Sequence, residues 1–115
     1  MSGPSRVVST GAVGTTVYLG ASAALSADGN IAIVGGYNDN LDPNSGLSLG
    51  AAWVFTQSGG FWTQQGGKLV GSGAVGRTGQ GVSVGLSGDG NTAIVGGVYD
   101  NSTTGAAWVF VQLLR

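Results

Sequence analysis

Short apolar runs separated by glycine-rich turns dominate the chain, and they occur in two sets. Each set holds a partly alternating run, a short β-branched run and an aromatic-rich run. β-Branched and aromatic residues favour strands, and no segment shows the 3.6-residue period of an amphipathic helix. The pattern therefore predicts an all-β fold with strands over Leu19–Leu25, Ile31–Val34 and Ala51–Thr56, and again over Gly81–Leu86, Thr92–Val95 and Ala106–Val111.

A fourth strand is predicted in the first set. The run Phe61–Gln65 continues into Lys68–Val70, and the two glycines between them indicate a β-bulge. An Asp-Gly-Asn turn precedes each β-branched run, which is typical of a hairpin. Each set therefore predicts a four-stranded antiparallel meander, with the outer strand missing from the second set.

The two sets are copies of one unit. LSADGNIAIVGG at Leu25–Gly36 and LSGDGNTAIVGG at Leu86–Gly97 match at ten of twelve positions, at an offset of 61. GAVG recurs at an offset of 62. GAAWVF recurs at an offset of only 55, because the loop before it, between the second and third strands, is shorter in the second copy. Two copies of a unit of about 60 residues therefore fill the chain.

The central strands, IAIV and AAWVF, are nearly continuous apolar runs. Such runs are typical of sheets that are covered on both faces. Stacked β-propeller blades have this property. A β-sandwich is the alternative, but its sheets each present one polar face and need no internal repeat.

The repeated residues resemble the FG-GAP repeat of integrin alpha-subunit-like β-propellers. The resemblance lies in GQGVSVGLSGDGNTAIVGG at Gly79–Gly97 followed by GAAWVF, and in the copy of both in the first unit. It covers the chain from about Ala12 to Phe110. It implies a propeller, often seven-bladed, that serves in extracellular binding or adhesion. An extracellular or cell-surface location is implied in the same way, although the N-terminal residues lack the apolar stretch of a signal peptide.

The predicted organisation is blade 1 over residues 10–70 and blade 2 over residues 71–115, preceded by an N-terminal strand over residues 1–9. Arg6–Val8 aligns with Lys68–Val70, so this strand is predicted to complete a blade of a neighbouring chain. Propellers need at least four blades. The fold class predicted is therefore all-β, with two four-stranded antiparallel blades per chain that form a closed β-propeller by homo-oligomerisation. Three chains give six blades and four give eight.

The amino-acid composition limits which chemical functions the chain can carry. The chain has no Cys, His or Glu, and its net charge is −1. It thus lacks the commonest general base and the commonest transition-metal ligands. Without a basic surface, nucleic acid is not an expected partner. No run reaches the length of a membrane span, so membrane insertion is not expected. We expect a non-enzyme without a cofactor.

Calcium is not expected either. Related repeats hold this ion in a D-x-[DN]-x-D-G loop. In this chain Ala24 and Gly85 stand where the first acid of the loop would be, and only Asp28 and Asp89 remain as carboxylates. Both loops are therefore degenerate, and plain Asp-Gly turns are the simpler interpretation.

Two loops are candidate ligand sites because each combines an aromatic ring, a carboxylate and amides. This combination suits a polyol, whose face stacks on the ring while vicinal hydroxyls bond the polar groups. Turn chemistry explains the same residues. Trp62, predicted to be partly exposed, is a further candidate, whereas Trp53 and Trp108 are predicted core. The loop candidates are Tyr37, Asn38, Asp39, Asn40, Tyr99, Asp100 and Asn101.

Three functional interpretations remain open at this point. The first is a non-catalytic propeller module that forms a ring and binds a glycan or an extracellular protein. The second is a fragment, or an engineered or ancestral-like piece, of a larger propeller, whose only role is self-assembly. The third is a calcium-dependent surface adhesion domain.

Overall fold

The structure, a computed structural model, describes residues 5–14, 17–40, 48–73, 77–111 and 113 of the 115-residue chain. The described chain forms two antiparallel sheets of four and three strands, neither of them closed. The all-β prediction is confirmed at this level. The first sheet contains β1 (Ser22–Leu25), β2 (Ile31–Gly36), β3 (Ala51–Ser58) and β4 (Phe61–Gln64), and the second contains β5 (Ser83–Leu86), β6 (Thr92–Gly97) and β7 (Ala106–Val111).

The two sheets share one strand order and one register, as the sequence repeat predicts. In both, consecutive strands are neighbours. Val34 pairs with Trp53 in the first sheet, and Val95 pairs with Trp108 in the second. Because side chains alternate along a strand, this common register places equivalent residues on equivalent faces.

The first strand of each sheet begins later than its apolar run. The predicted strands start at Leu19 and Gly81, whereas β1 and β5 start at Ser22 and Ser83. A turn precedes each strand, and Gly20 and Gly81 have φ angles of 98° and 94° in these turns. Such backbone belongs to the region that favours glycine and does not continue a strand.

The predicted bulge lies beyond β4. Phe55 pairs with Gln64, so uninterrupted pairing would place Gly67 opposite Ala52. Ala52 instead pairs with Leu69, two positions further along the chain. The outer strand therefore ends at Gln64, and pairing with β3 resumes after two extra residues only as a single bridge of Leu69, which lies outside β4.

A short turn, α1 (Asp100–Thr103), precedes β7. Its residues Asn101 and Ser102 have positive φ and ψ angles, so this is a left-handed turn and not an ordinary helix. Among the described residues, no helix has the length and apolar character needed to cross a membrane.

Each sheet has two faces, which we call face A and face B. Face A of the first sheet carries Ile31, Ile33, Ala52 and Val54, and face B of the second sheet carries Ala93 and Val95. These six residues form one buried cluster, the internal interface between the sheets. Face B of the first sheet carries a second buried cluster, formed by Val34, Ala51, Trp53 and Phe55. Face A of the second sheet carries Ile94, Ala107 and Val109.

Candidate functional site: the sheet faces and the interface between them

The internal interface is built from backbone as much as from side chains. The segment before β5 runs beside the segment before β3, where Gly50 and Gln80 form a parallel bridge. Thr78 and Gln80 are both fully buried. The Thr78 hydroxyl donates to the carbonyl oxygen of Leu49 at 2.6 Å, and the Gln80 amide bonds both backbone groups of Gly71. Their polar atoms are thus satisfied in the interface.

Gly81 is inserted into a groove on face A of the first sheet. Its carbonyl oxygen accepts a hydrogen bond from the Ser22 hydroxyl at 2.7 Å. A Cβ atom at Gly81 would overlap the carbonyl oxygen of Ala51 and approach the backbone of Gly35 and Gly36. Only a glycine fits this position, because the two backbones are in contact there.

Face A differs sharply in exposure between the two sheets. Ile33 is 0% exposed, whereas its repeat equivalent Ile94 is 48% exposed. Val54 is 2% exposed, whereas its equivalent Val109 is 62% exposed. The second sheet thus presents most of the apolar surface that the first sheet buries against its neighbour, with Thr92 in the place of Ile31. The apolar runs predicted both faces of both sheets to be covered, which holds for the central strands of the first sheet only.

An open cleft of about 200 Å³ lies on face A of the second sheet. Ser83, Gly96 and Ala107 are among the residues that line it. Their repeat equivalents are Ser22, Gly35 and Ala52, and Ser22 and Gly35 contact Gly81 in the internal interface. The second sheet therefore repeats the groove, with no described residue of the chain inserted in it.

Face B of the first sheet is covered by the segment that precedes β1. Val7, Val17 and Leu19 pack against its buried cluster. The Trp53 indole N–H donates to the carbonyl oxygen of Thr10 at 2.9 Å. In the second unit, the Trp108 indole N–H donates to the carbonyl oxygen of Ser72, the repeat equivalent of Thr10, at 2.7 Å. The N-terminal segment therefore lies on face B of the first sheet in the same way that the linker between the two units lies on face B of the second sheet.

The first candidate loop, Tyr37–Asn40, contains an ion pair. Asp39 is 1% exposed, and its carboxylate bonds Lys68 Nζ at 2.7 Å and the Val13 backbone N–H at 2.7 Å. The Asp39 carboxylate thus joins three segments of the first unit and is turned away from solvent. Tyr37 contacts the ring of Tyr18, with centroids 5.4 Å apart. The predicted polyol contact through these residues stays a prediction.

The other two residues of the first candidate loop are Asn38 and Asn40. Asn38 is half-buried, and Asn40 is exposed with a φ of 58°. In the second candidate loop, Tyr99 makes a cation–π contact with Arg77: the guanidinium carbon of Arg77 lies 4.2 Å from the centroid of the Tyr99 ring.

The second candidate loop continues with Asp100 and Asn101. Asp100 is buried, and Asn101 is exposed in the left-handed turn. Asn101 has a φ of 50°, close to that of its repeat equivalent Asn40. The two loops therefore share their backbone form at this position.

Trp62 lines a surface cleft of about 330 Å³. The cleft also contains Arg6, Phe61 and Gln64 among its lining residues. Trp62 is half-buried and packs against the cluster on face B of the first sheet. The partial exposure predicted from its position on the outer strand is confirmed, and its role in ligand contact stays a prediction.

The two Asp-Gly turns have the same hydrogen bonds. Asp28 accepts from the Ser26 hydroxyl at 2.8 Å and from the Asn30 backbone N–H at 3.0 Å. Asp89 accepts from Ser87 at 2.6 Å and from Asn91 at 3.0 Å. In the described part of the chain, no group of three or more acidic, His or Cys residues is placed to hold a metal ion.

These hydrogen bonds lower the pKa of both carboxyls. The Asn30 amide, followed by the Ser26 hydroxyl, lowers the pKa of Asp28, and the Ser87 hydroxyl, followed by the Asn91 amide, lowers that of Asp89. Each lowered pKa therefore stabilises the folded state at pH values above the unfolded-state pKa of about 3.9. This stability is lost as the pH falls through the pKa of the folded state.

We therefore expect Asp28→Asn and Asp89→Asn to reduce the loss of stability in acid. The amide oxygen can still accept both hydrogen bonds but does not titrate in this range. Urea unfolding at pH 6 and at pH 3 measures this, as the difference between the two free energies of unfolding. An Asp28→Asn/Asp89→Asn variant that loses as much stability in acid as the original chain would contradict the assignment.

Sequence reasoning missed the residues that make the internal interface. The strand pattern places Gly81 at the start of a predicted strand, and Thr78 and Gln80 lie outside the predicted strands. A usable signal was present, because Val17 and Leu19 stand at the positions equivalent to Thr78 and Gln80 in the first copy. Polar residues replace apolar ones where the second unit joins the first.

Comparisons with protein-family models, with curated proteins and with solved structures found no match. The FG-GAP resemblance therefore rests on the repeated motifs of the sequence.

Proposed function

We propose that the chain is a non-catalytic module of two propeller-type blades that assembles with copies of itself and serves in binding or adhesion. The FG-GAP resemblance supports the propeller architecture, and the two described sheets supply units of suitable form. In this proposal the first sheet is blade 1 and the second sheet is blade 2. The ligand class is a glycan or an extracellular protein.

One observation carries the assembly part of the proposal. Face A of the first sheet packs on face B of the second, and the chain leaves the other two faces at its ends. These are face A of the second sheet, with Ile94 and Val109 exposed, and face B of the first sheet, which the N-terminal segment of the same chain covers. The two end faces are thus repeats of the two halves of an interface that the chain already forms.

A contact between these end faces joins different surfaces of two copies. Such a heterologous contact makes a ring if its rotation closes. Burial of apolar area supplies the driving force at roughly 25 cal/mol per Å². One chain has a mass of 11.3 kDa, and rings of three or four chains have three or four times that mass.

An assembly without a separate ligand is the second candidate. It is favoured by the Asp39–Lys68 ion pair, which occupies a carboxylate that the predicted polyol site would need. A glycan array on the assembled protein separates the two candidates, since repeated weak sites gain avidity in a ring. Binding that depends on Trp62 would support the ligand-binding module, and absence of any binding would favour self-assembly as the only role.

We expect Ile94→Asp to leave the fold of each chain intact and to prevent assembly. The side chain is 48% exposed in the single chain, whereas in the assembly an aspartate would be buried without a partner. Mass in solution over a range of concentrations measures the effect. Ser58→Asp adds the same charge at an exposed position in the hairpin between β3 and β4, and should assemble as the original chain does.

Two results would overturn the assembly proposal. One is a mass in solution equal to that of a single chain at all concentrations of the original protein. The other is equal assembly of the Ile94→Asp and Ser58→Asp variants, which would show that face A of the second sheet takes no part.

A further inference from the structure

We propose that the N-terminal segment of one copy forms a defined junction with the second sheet of the preceding copy, in which Arg6 pairs with Asp100 and residue 7 bonds the backbone of Ala107. The inference rests on the proposed self-assembly and specifies how two copies meet. Its precedent is the junction between the two units within one chain.

The ion pair inside the first unit shows the first part of this junction. Lys68 lies just after the bulge of the outer strand and reaches the buried carboxylate of Asp39 at 2.7 Å. Asp100 is the repeat equivalent of Asp39, at an offset of 61, and it is also buried. Arg6 is the equivalent of Lys68, at an offset of 62, and it is exposed.

The backbone around the two carboxylates is the same. The Gly50 N–H donates to the carbonyl oxygen of Asp39 at 3.0 Å, and the Gly105 N–H donates to that of Asp100 at 2.9 Å. A carboxylate offers about four acceptor sites, so Asp100 can take a guanidinium in addition to its contacts within the chain. Arginine suits this role because its planar fork binds a carboxylate in a bidentate manner.

The backbone after the cation provides the second part. Leu69 and Ala52 exchange two hydrogen bonds, of 3.0 and 2.7 Å, which attach the outer strand to β3. The equivalent residues are Val7 and Ala107. Within one chain β7 has no outer strand beside it among the described residues. In the proposed junction, Val7 of the next copy makes the corresponding bonds to Ala107.

The N-terminal segment is already placed for this contact. Val7 packs on face B of the first sheet, and the carbonyl oxygen of Thr10 accepts from the indole N–H of Trp53. When face A of the preceding copy's second sheet covers that face, residues 6–8 lie in the resulting interface. The linker residues 68–70 occupy the same position between the two sheets of one chain.

The equivalence of the two units implies a third contact at the junction. Gly20 is the repeat equivalent of Gly81, and the two glycines have φ angles of 98° and 94°. Each donates its N–H to the second strand of its own sheet, at 3.0 Å in both cases. Gly20 then occupies the 200 Å³ cleft of the preceding copy, and its carbonyl oxygen accepts from Ser83 as Gly81 accepts from Ser22.

Cysteine cross-linking tests the junction directly, because the natural chain contains no Cys. A hydrogen-bonded antiparallel pair has its Cα atoms about 5.5 Å apart, which a disulfide can span. Val7→Cys and Ala107→Cys, made as separate single variants and mixed before oxidation, should give a disulfide-linked heterodimer. Thr63→Cys, at an exposed position on β4, replaces Val7→Cys in the control mixture.

The outcomes separate this inference from the proposed assembly. A cross-link between residues 7 and 107 at a yield well above the control supports the junction. An assembly of unchanged mass without this cross-link overturns the junction and leaves self-assembly intact. Monomers at every concentration overturn both.

A separate measurement of assembly tests the proposed Arg6–Asp100 ion pair. Arg6→Asp should weaken assembly about tenfold or more, because it places two carboxylates together in the interface, whereas Arg6→Lys should preserve most of it. Sedimentation at several concentrations gives the dissociation constants. Equal constants for the two variants overturn the Arg6–Asp100 pair, and the cross-linking result then decides the backbone contact by itself.

Discussion

Replacing Gly81 with alanine should destabilise the chain far more than the same change at Gly20. The two φ angles are 94° and 98°, so each variant carries the strain of a left-handed residue, about 1–2 kcal/mol. At Gly81 the added Cβ also overlaps the Ala51 carbonyl oxygen, whereas at Gly20 it meets no atom within 4 Å in the single chain. We expect a total cost of about 3–5 kcal/mol at Gly81, since overpacking adds to the strain.

The comparison is best made in the Ile94→Asp background, where the variants are expected to remain monomeric. Urea unfolding then gives the two free energies, and their difference isolates the contact between the sheets. In the original background, Gly20→Ala should instead lower the degree of assembly. Equal destabilisation at the two glycines would show that the sheets do not meet at Gly81 in solution.

Replacing Lys68 with methionine should have the second large effect. The change leaves the Asp39 carboxylate buried, with the Val13 N–H as its described hydrogen-bond partner. Breaking a buried ion pair by removing one member costs about 3–5 kcal/mol, and we expect a value near the lower end because Lys68 is 23% exposed. The free energy of unfolding in urea provides the measurement.

Arg6→Met is the matched control, because Arg6 is the equivalent cation and is exposed. In the monomer it should change the stability by less than about 0.5 kcal/mol. A Lys68→Met/Asp39→Asn double variant should recover part of the loss, since it removes the unpaired charge. If Lys68→Met and Arg6→Met had equal effects, the ion pair would contribute nothing to the stability.

The two-sheet fold could be predicted because local signals agreed with each other. The Asp-Gly-Asn turns set the hairpins, and the apolar runs after them set the strands of both copies. The bulge after β4 was also visible, since two consecutive glycines interrupt an otherwise regular strand. The starts of β1 and β5 were missed because the predicted strands, which begin at Leu19 and Gly81, extend back into the turns that precede them.

The loop sites were harder to assess from the sequence. An aromatic ring, an acid and amides close together in a loop suggest a polyol site, but the pattern does not show which way each side chain points. The structure turns Asp39 toward Lys68, 29 residues away along the chain. Such a pair depends on the path of the outer strand after its bulge, so no local pattern reports it.

The sequence by itself determined the number of units, their strand order and the equivalence of their residues, because a repeat of high identity imposes one local structure twice. Only the tertiary structure decided which faces are covered. Ile33 and Ile94 occupy identical positions in nearly identical motifs, yet one is buried and the other is exposed. Burial depends on what packs against a face, and that information lies in the arrangement of the sheets rather than in either repeat.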